Sequence, residues 1–435
     1  MARQELAFIA TNDLAAQTRG RSMLVDEVDL ETGCGWVPAN LGIGPFGKIV
    51  ETSGFGSTGD LRLVPDERSR LVVDGVPNRP RMHLYMADIK NTDGSEWPCC
   101  PRTFLRRAVQ DFTEETGLTL LCSFEHEFML RSEESPEPPF SLQAFRRMEP
   151  FGTDLVNMLQ SSGLRPETWL PEYGEHQWEV TMRPEDALTA ADRAVALRDL
   201  VRDFAHSVGR DATFAPLLDP EGTGNGVHIH FSFLDRDGKP VMHDPSRSGE
   251  ISELTGSFAA GVLRHASALA AIAAPSDVSY LRLAPHRWSS ANAFLGRHNR
   301  EAFLRICPTV SMEGRDPASQ LNLEFRAGDG TGNPWLVLGS LIRAGLEGVR
   351  EKLAAPTVVD CDVEEMDESE RESADIRPLP RSLEEALTAL EQDTTAAGWF
   401  HPDLLRVHTS IKRDEIDQLR DFSSTEKCER YARAY

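Results

Sequence analysis

Gly224-Asn225-Gly226-Val227-His228-Ile229-His230-Phe231-Ser232-Phe233 is the stretch on which the reading of the chain turns. Side chains of an extended strand alternate between two faces, so His228 and His230 share one side and Val227, Ile229 and Phe231 the other. Three other segments repeat this design. In FEHEF, Glu125 and Glu127 oppose Phe124 and Phe128; in HQWEV, Gln177 and Glu179 oppose Trp178 and Val180. In LNLEFR, Asn322, Glu324 and Arg326 oppose Leu321, Leu323 and Phe325. Each segment alone reads as an amphipathic strand with a solvated face. Four together predict one polar face that carries chemistry.

That face would hold Glu125, Glu127, Glu179 and Glu324 beside two histidines. Carboxylates crowded in a partly desolvated site cannot all stay ionised unless cations neutralise them. Oxygen-dominated ligation favours Mg2+ or Mn2+, whereas Zn2+ would draw on cysteine and histidine in a closed tetrahedral set.

The 435 residues suffice for a large catalytic domain with a smaller appendage. A formal charge of −23, from 69 acidic against 46 basic residues, argues against a nucleic-acid partner held through phosphates. No apolar run approaches the roughly 20 residues of a membrane span. The start, MARQELAFIATNDL, lacks the basic region and long apolar core of a signal peptide, so the expectation is a cytoplasmic protein with no membrane segment. The cysteines (34, 99, 100, 122, 307, 361 and 428) are odd in number and scattered, which fits reduced thiols, and the adjacent Cys99 and Cys100 lack CxxC spacing.

The first hundred or so residues carry short β-type runs, SMLVDEVDL, KIVET, LRLVP and LVVDGV, and little helical periodicity. Pro101 and Gly117 bracket PRTFLRRAVQDFTEETG as a helix. AADRAVALRDLVRDFAHSVGR and SELTGSFAAGVLRHASALAAIAAP read as helices before and after the HIH strand. The acidic run 362–376 reads as a mobile solvated loop, PRSLEEALTALEQD as a proline-led helix, and 401–435 as mostly helical. No repeat and no GxxxxGK[ST] loop is present, so a nucleotide would be held by another design. The class is α+β or α/β.

Five motifs resemble the glutamine synthetase family in order and spacing. They are the EHE strand at Glu125, PEYGEHQWEV from Pro171, the ATF and GNGVHIHFS segments from Ala212, SYLRLAPHRWSSANAFLGRHNREAFLRICP from Ser279, and LNLEFRAGDGTGNPWLVLGSLIRAGLEGV from Leu321. FGSTGDLRLVPD, residues 55–66, is similar to the end of that family's β-grasp domain. The resemblance implies an α+β fold, with a small N-terminal β-grasp-like domain over 1–98. A large catalytic domain over 99–435 would carry a curved antiparallel sheet and surrounding helices.

It also implies a reaction. ATP converts the γ-carboxylate of glutamate into a γ-glutamyl phosphate, and an amine displaces phosphate. A carboxylate is a poor electrophile until so activated, and two anions meet only where metals and arginines screen them. By motif position, Glu127, Glu172 and Glu179 match the ligands of one Mg2+ or Mn2+, and Glu125, His228 and Glu324 those of a second. Arg300 and Arg305 match the arginines facing ATP, with His230 and Ser232 near the nucleotide. Arg282 and Arg326, with the flexible segment at Gly224, match the surroundings of glutamate and the reacting phosphate. Arg300, Glu172, Arg282 and Arg326 form the expected catalytic set. Stacked rings with sites shared between subunits are the expected homo-oligomer.

Three departures from the family pattern bear on substrate. The loop that carries a glutamate serving ammonium reads RLAPHRWSS, placing Trp288 there, and no DGSS-type element precedes GSTGD. Thr223 stands where an asparagine is usual, and Asn322 where RxExR begins with arginine. A site for NH4+ needs acids to select and deprotonate it, whereas an organic amine needs room and apolar surface. Trp288 therefore points to a glutamate–amine ligase, with Glu172, or second Glu175, as proton acceptor. An ammonia-using synthetase, an inert family member and a metal-dependent hydrolase are the competing readings.

Overall fold

The computed structural model describes residues 4–132 and 134–435. Among the described residues, six strands form an N-terminal sheet in the order Thr18–Leu24, Leu6–Asn12, Met82–Asn91, Leu61–Pro65, Cys34–Trp36, with Leu71–Val73 also paired to Met82–Asn91. Leu6–Asn12 and Met82–Asn91 run parallel; the other pairs are antiparallel. KIVET departs from expectation. It contributes an Ile43–Ile49 bridge and the 3-10 turn Glu51–Ser53, because Val50 is drawn into the core and Arg406 of the helix Pro402–Leu419 binds the Ser53 carbonyl.

The second sheet has eleven strands among the described residues. Its main path runs Val358–Val359, Asn292–Gly296, Ala302–Ile306, Leu323–Phe325, Val227–Leu234, Thr119–Arg131, Gln177–Met182, Pro166–Pro171. Pairing is antiparallel except at one end, where Asn292–Gly296 lies parallel to both its path neighbours. The expected alternation is visible along Thr119–Arg131. Leu120, Cys122, Phe124, His126 and Phe128 are buried, while Ser123, Glu125 and Glu127 are half-buried on the other face.

Helices cover the apolar face. Pro101–Thr116 begins with proline and ends at Gly117 in the left-handed region, as its sequence requires. It packs on Pro334–Arg350, which in turn packs on Glu253–Arg264. The last two helices approach through Gly261 and Gly348, where a Cβ on Gly348 would strike the Ser257 carbonyl and lie 2.7 Å from the Gly261 nitrogen. Phe258 seals the layer against Phe233, their ring centroids 5.0 Å apart.

Arg102 joins the N-terminal sheet to the helical layer. Its buried guanidinium donates to Asp192 at 2.9 and 2.7 Å, to Asp88 at 3.0 Å and to Asp66 at 2.9 Å, linking the N-terminal sheet to the helix Ala187–Ser207. Trp335 Nε1 donates to the same Asp192 at 2.8 Å.

Three local expectations are corrected. SELTGSFAAGVLRHASALAAIAAP forms two helices, Glu253–Arg264 and Ala266–Ala273, bent by 73°. The break falls at His265, whose ring pairs with Asp393 and meets Trp399 nearly edge-on at 5.1 Å. The acidic run 362–376 is built rather than loose: a 3-10 turn, then the helix Glu368–Ser373 with an Asp367/Glu370 capping box. Val363 and Ile376 anchor it to Phe294, Ala302 and Val359. Ser382, not Pro380, caps the helix Leu383–Gln392. The C-terminal segment is helical over Pro402–Leu419 and Ser424–Ala434, and all seven cysteines are free. Among the described residues no single helix is long and apolar enough to cross a membrane.

Replacing Gly348 by Ala gains about 1 kcal/mol of helix propensity but overpacks a contact between two backbones, for a net loss of about 2 kcal/mol. A lowered urea midpoint with unchanged slope is the expected result.

Candidate active site

The four polar-faced strands are consecutive in the sheet: Leu323–Phe325, Val227–Leu234, Thr119–Arg131 and Gln177–Met182. Directly paired residues point to the same side. The register sets His230 opposite Glu324, His228 opposite Glu125, Glu127 opposite Glu179, and Arg305 opposite Glu324. These seven side chains form one wall of a 590 Å³ cavity, which Glu172, Gly224, Arg282, Trp288, Arg300 and Arg326 complete. Of the expected site residues, Ser232 and the second-choice proton acceptor Glu175 lie outside that lining. Ser232 stays on the strand that carries the histidines, opposite Leu121.

The glycines of GNG provide close approach. A Cβ on Gly226 would lie 2.5 Å from an Arg282 nitrogen and 2.8 Å from His228 Nε2, and one on Gly224 would press on the Arg282 stem. Gln177 Nε2 locks the segment by donating to the Gly224 carbonyl at 2.8 Å and to Asn225 Oδ1 at 2.9 Å. The Gly226 N–H donates to Glu127 at 2.6 Å. Buried Arg282 reaches the carbonyls of Ala327 and Arg326 at 3.5 and 3.3 Å.

Electrostatically the wall has two halves. At one end Glu324 is pinned by Arg305 at 2.9 Å and by Arg326. Burial opposes its charge, yet Arg326 and the two histidines hold its pKa at about 2. At the other end burial, then Glu125, Glu127 and Glu172, push Glu179 up to about 9, and burial with Glu127 pushes Glu172 up to about 7. His228 Nδ1 stands 3.5 Å from Glu125 and 3.6 Å from Glu324, leaving buried Nε2 without a hydrogen-bond partner. His230 Nδ1 lies 2.9 Å from Asn322 Oδ1, so the asparagine that replaces an expected arginine orients this ring. Its Nε2 is turned toward Glu125 at 3.1 Å.

Such a cluster is complete only with added positive charge. Ligand atoms of Glu125, Glu179 and His228 lie within 4.8 Å of one another, as do those of His230, Cys307 and Glu324. The first group takes Glu179 from one expected ligand set and Glu125 and His228 from the other, so the two sets adjoin. The oxygen-rich donors and the orphaned His228 nitrogen fit hard divalent ions.

The sequence points to Trp288 at the cavity's aromatic end but not to its two partners there. Phe140, Tyr173 and Trp288 line it together, with ring centroids 4.8 Å apart for Phe140–Tyr173 and 5.0 Å for Tyr173–Trp288. Tyr173 sat within PEYGEHQ as a visible signal, whereas Phe140 follows a proline-rich acidic stretch that offered none. Arg287 and Cys307 were also passed over. Glu175, the second candidate proton acceptor, is absent from the lining.

The profile of the glutamine synthetase catalytic domain matches residues 98–431, and that of the glutamine synthetase N-terminal domain matches residues 2–97. The chain belongs to the glutamine synthetase family. A gamma-glutamylpolyamine synthetase of Streptomyces coelicolor is 33% identical over 85% of this chain and 80% of its own. A glutamine synthetase of Methanococcus maripaludis is 29% identical over 83% and 81%. A solved structure described as a novel glutamine synthase homolog superposes with a TM-score of 0.92 at 41% identity, covering 100% of this chain and 99% of that one. A GmaS–ADP complex shares the fold, with a TM-score of 0.81 at 23% identity over 98% and 96%. The chain is thus a member of a family of ATP-dependent ligases that use divalent metals, and its strands bring the family's motifs to one cavity.

Glu179 at about 9 and Glu172 at about 7 lie above the ordinary value of 4.5, so the metal-free folded state holds protons that the unfolded chain has released. Their contribution therefore weakens stability as pH rises from about 4.5 toward 9. In differential scanning fluorimetry, the melting temperature of the metal-free protein relative to Glu179→Gln is expected to fall between pH 6 and 9. Mg2+ or Mn2+ should reverse the fall and release protons. A relative rise would contradict the cluster's electrostatics.

Proposed function

We propose that the protein is an ATP-dependent ligase that joins the γ-carboxylate of glutamate to a small organic amine through γ-glutamyl phosphate. The observation that carries this reading is one cavity with three chemically distinct parts: crowded carboxylates, converging arginines, and aromatic rings where ammonium-selecting acids are missing. Glu127, Glu172 and Glu179, and Glu125, His228 and Glu324, would hold Mg2+ or Mn2+, which would supply the positive charge needed for ATP and a carboxylate to approach. Arg300 and Arg305, with His230 and Ser232, bind the nucleotide. Arg282 and Arg326, beside the close-approach glycine Gly224, orient glutamate and steady charge on the transferring phosphoryl group. Amine attack requires an unprotonated nitrogen, and we assign Glu172, next to Tyr173 in the chain, as the acceptor of its proton.

This reading takes residues 1–98 and 99–435 as the two domains and a cytoplasmic ring of like subunits as the working form, the N-terminal domain of one subunit bordering the cavity of the next. The Streptomyces relative supports an organic amine, the Methanococcus maripaludis glutamine synthetase ammonia. We favour the organic amine because both expected ammonium-site acids are missing from the sequence and Trp288 stands at one of their positions.

ADP release should depend on glutamate and an amine together, with at least one alkylamine, arylalkylamine or diamine exceeding ammonia in kcat/KM. Ammonia as best substrate would overturn the amine assignment. Glu127→Ala should lower turnover by about 100-fold or more, as loss of a metal ligand or its support does. An unchanged rate would remove Glu127 from the metal set.

A further inference from the structure

The cavity's aromatic end contains a device that the ligase chemistry alone does not require. Phe140, Tyr173 and Trp288 are 50%, 48% and 52% exposed, and they touch in series along the wall that also holds Glu172. Three large rings left half in water at one place form apolar surface that a ligand can cover. Trp288 is also held in an unfavourable backbone state. Its φ is 55° and that of His286 is 59°, in the left-handed region that bulky side chains rarely adopt.

One carboxylate accounts for this conformation. Glu301 Oε2 accepts the His286 N–H and Oε1 accepts the Trp288 N–H, each at 3.2 Å. From the cavity side Arg326 Nη2 donates to the Trp288 carbonyl at 3.2 Å. Strained residues persist where neighbours over-determine them. Freed from Glu301, the turn could relax and carry the indole away from Tyr173.

We propose that Glu301 is a positioning residue that clamps the 286–288 turn, so that Trp288, Tyr173 and Phe140 form a subsite for a flat aromatic substituent on the amine. This rests on the ligase reading above and names the substrate class. Charge disfavours a second ammonium group there. Arg287 and Arg300 line the cavity beside the rings, and Glu172, also on that wall, is committed to metal in the ligase reading. The carboxylates behind Trp288 are engaged: Glu301 as described, Asp360 with Arg297 at 3.2 Å, and Asp362 with the Glu364 N–H at 2.9 Å. A planar ring stacks on such surfaces without needing a counter-charge.

The test compares kcat and KM for 2-phenylethylamine, n-butylamine, 1,4-diaminobutane and ammonia in wild type, Glu301→Ala, Glu301→Gln and Trp288→Ala. Wild type should prefer 2-phenylethylamine. Glu301→Ala should lower the ratio of its kcat/KM to that of n-butylamine by about tenfold, chiefly through KM, the size of a lost apolar contact. Glu301→Gln, which keeps one acceptor oxygen, should recover part of the ratio. Trp288→Ala should reproduce the loss, and adding Glu301→Ala to it should change the ratio little further. Preference of the wild type for 1,4-diaminobutane or ammonia overturns the aromatic subsite. So does an Glu301→Ala variant that loses kcat equally with every amine, which would make Glu301 merely structural. If no amine supports glutamate-dependent ADP release, the ligase reading fails as well, and the two failures are told apart by that control.

Discussion

Everything in this molecule depends on the register of four neighbouring strands. Glu127 faces Glu179, His228 faces Glu125, and His230 faces Glu324. A shift of one residue in any pair would turn those side chains into the Phe-rich layer behind the sheet and bring aromatic residues into the cavity. The apolar partners Phe124, Phe128, Ile229, Phe231 and Phe325 are all buried, so the core enforces the register that crowds the acids together. Packing thereby maintains an electrostatic arrangement that is unfavourable in isolation. Glu179 and Glu172 are pushed toward their protonated forms at one end, while Arg326 and two histidines hold Glu324 ionised at the other.

This division gives the cavity its direction. The arginine-lined end is suited to anions, and the carboxylate end to cations that offset the acids. Arg326 spans the parts: its Nη1 binds Glu324, its Nε donates to the Arg300 carbonyl at 2.7 Å, and its Nη2 donates to the Trp288 carbonyl. The loop that departs most from the family pattern is therefore tied to an arginine at the centre of the site. Residue 288 thus lies on a loop, whereas Glu125, Glu127, Glu179 and Glu324 lie on strands.

The period-two alternation of FEHEF, HQWEV, VHIHF and LNLEF was sufficient to predict the sheet and its polar wall, because burial of one face imposes that period directly. Proline and glycine at the ends of 101–117 were equally explicit. What escaped depends on distant partners. His265 breaks a continuous-looking helix because Asp393 lies 128 residues further on. The acidic 362–376 run looked unable to build a core, yet Val363 and Ile376 borrow one from Phe294 and Ala302. Phe140 enters the site from a segment without a motif. Glu301 sits beside Arg300 in a recognised motif, but its grip on two backbone N–H groups belongs to the folded loop, where no spacing rule would locate it.

The central claim is that this wall lets ATP phosphorylate a carboxylate before an amine attacks. Transfer of 18O tests it most directly. With glutamate labelled in its γ-carboxylate oxygens, ATP, Mg2+ and the best amine, the account predicts one 18O atom in each inorganic phosphate released, carried over from the acyl phosphate. Phosphate free of label, formed as amide accumulates, would contradict it.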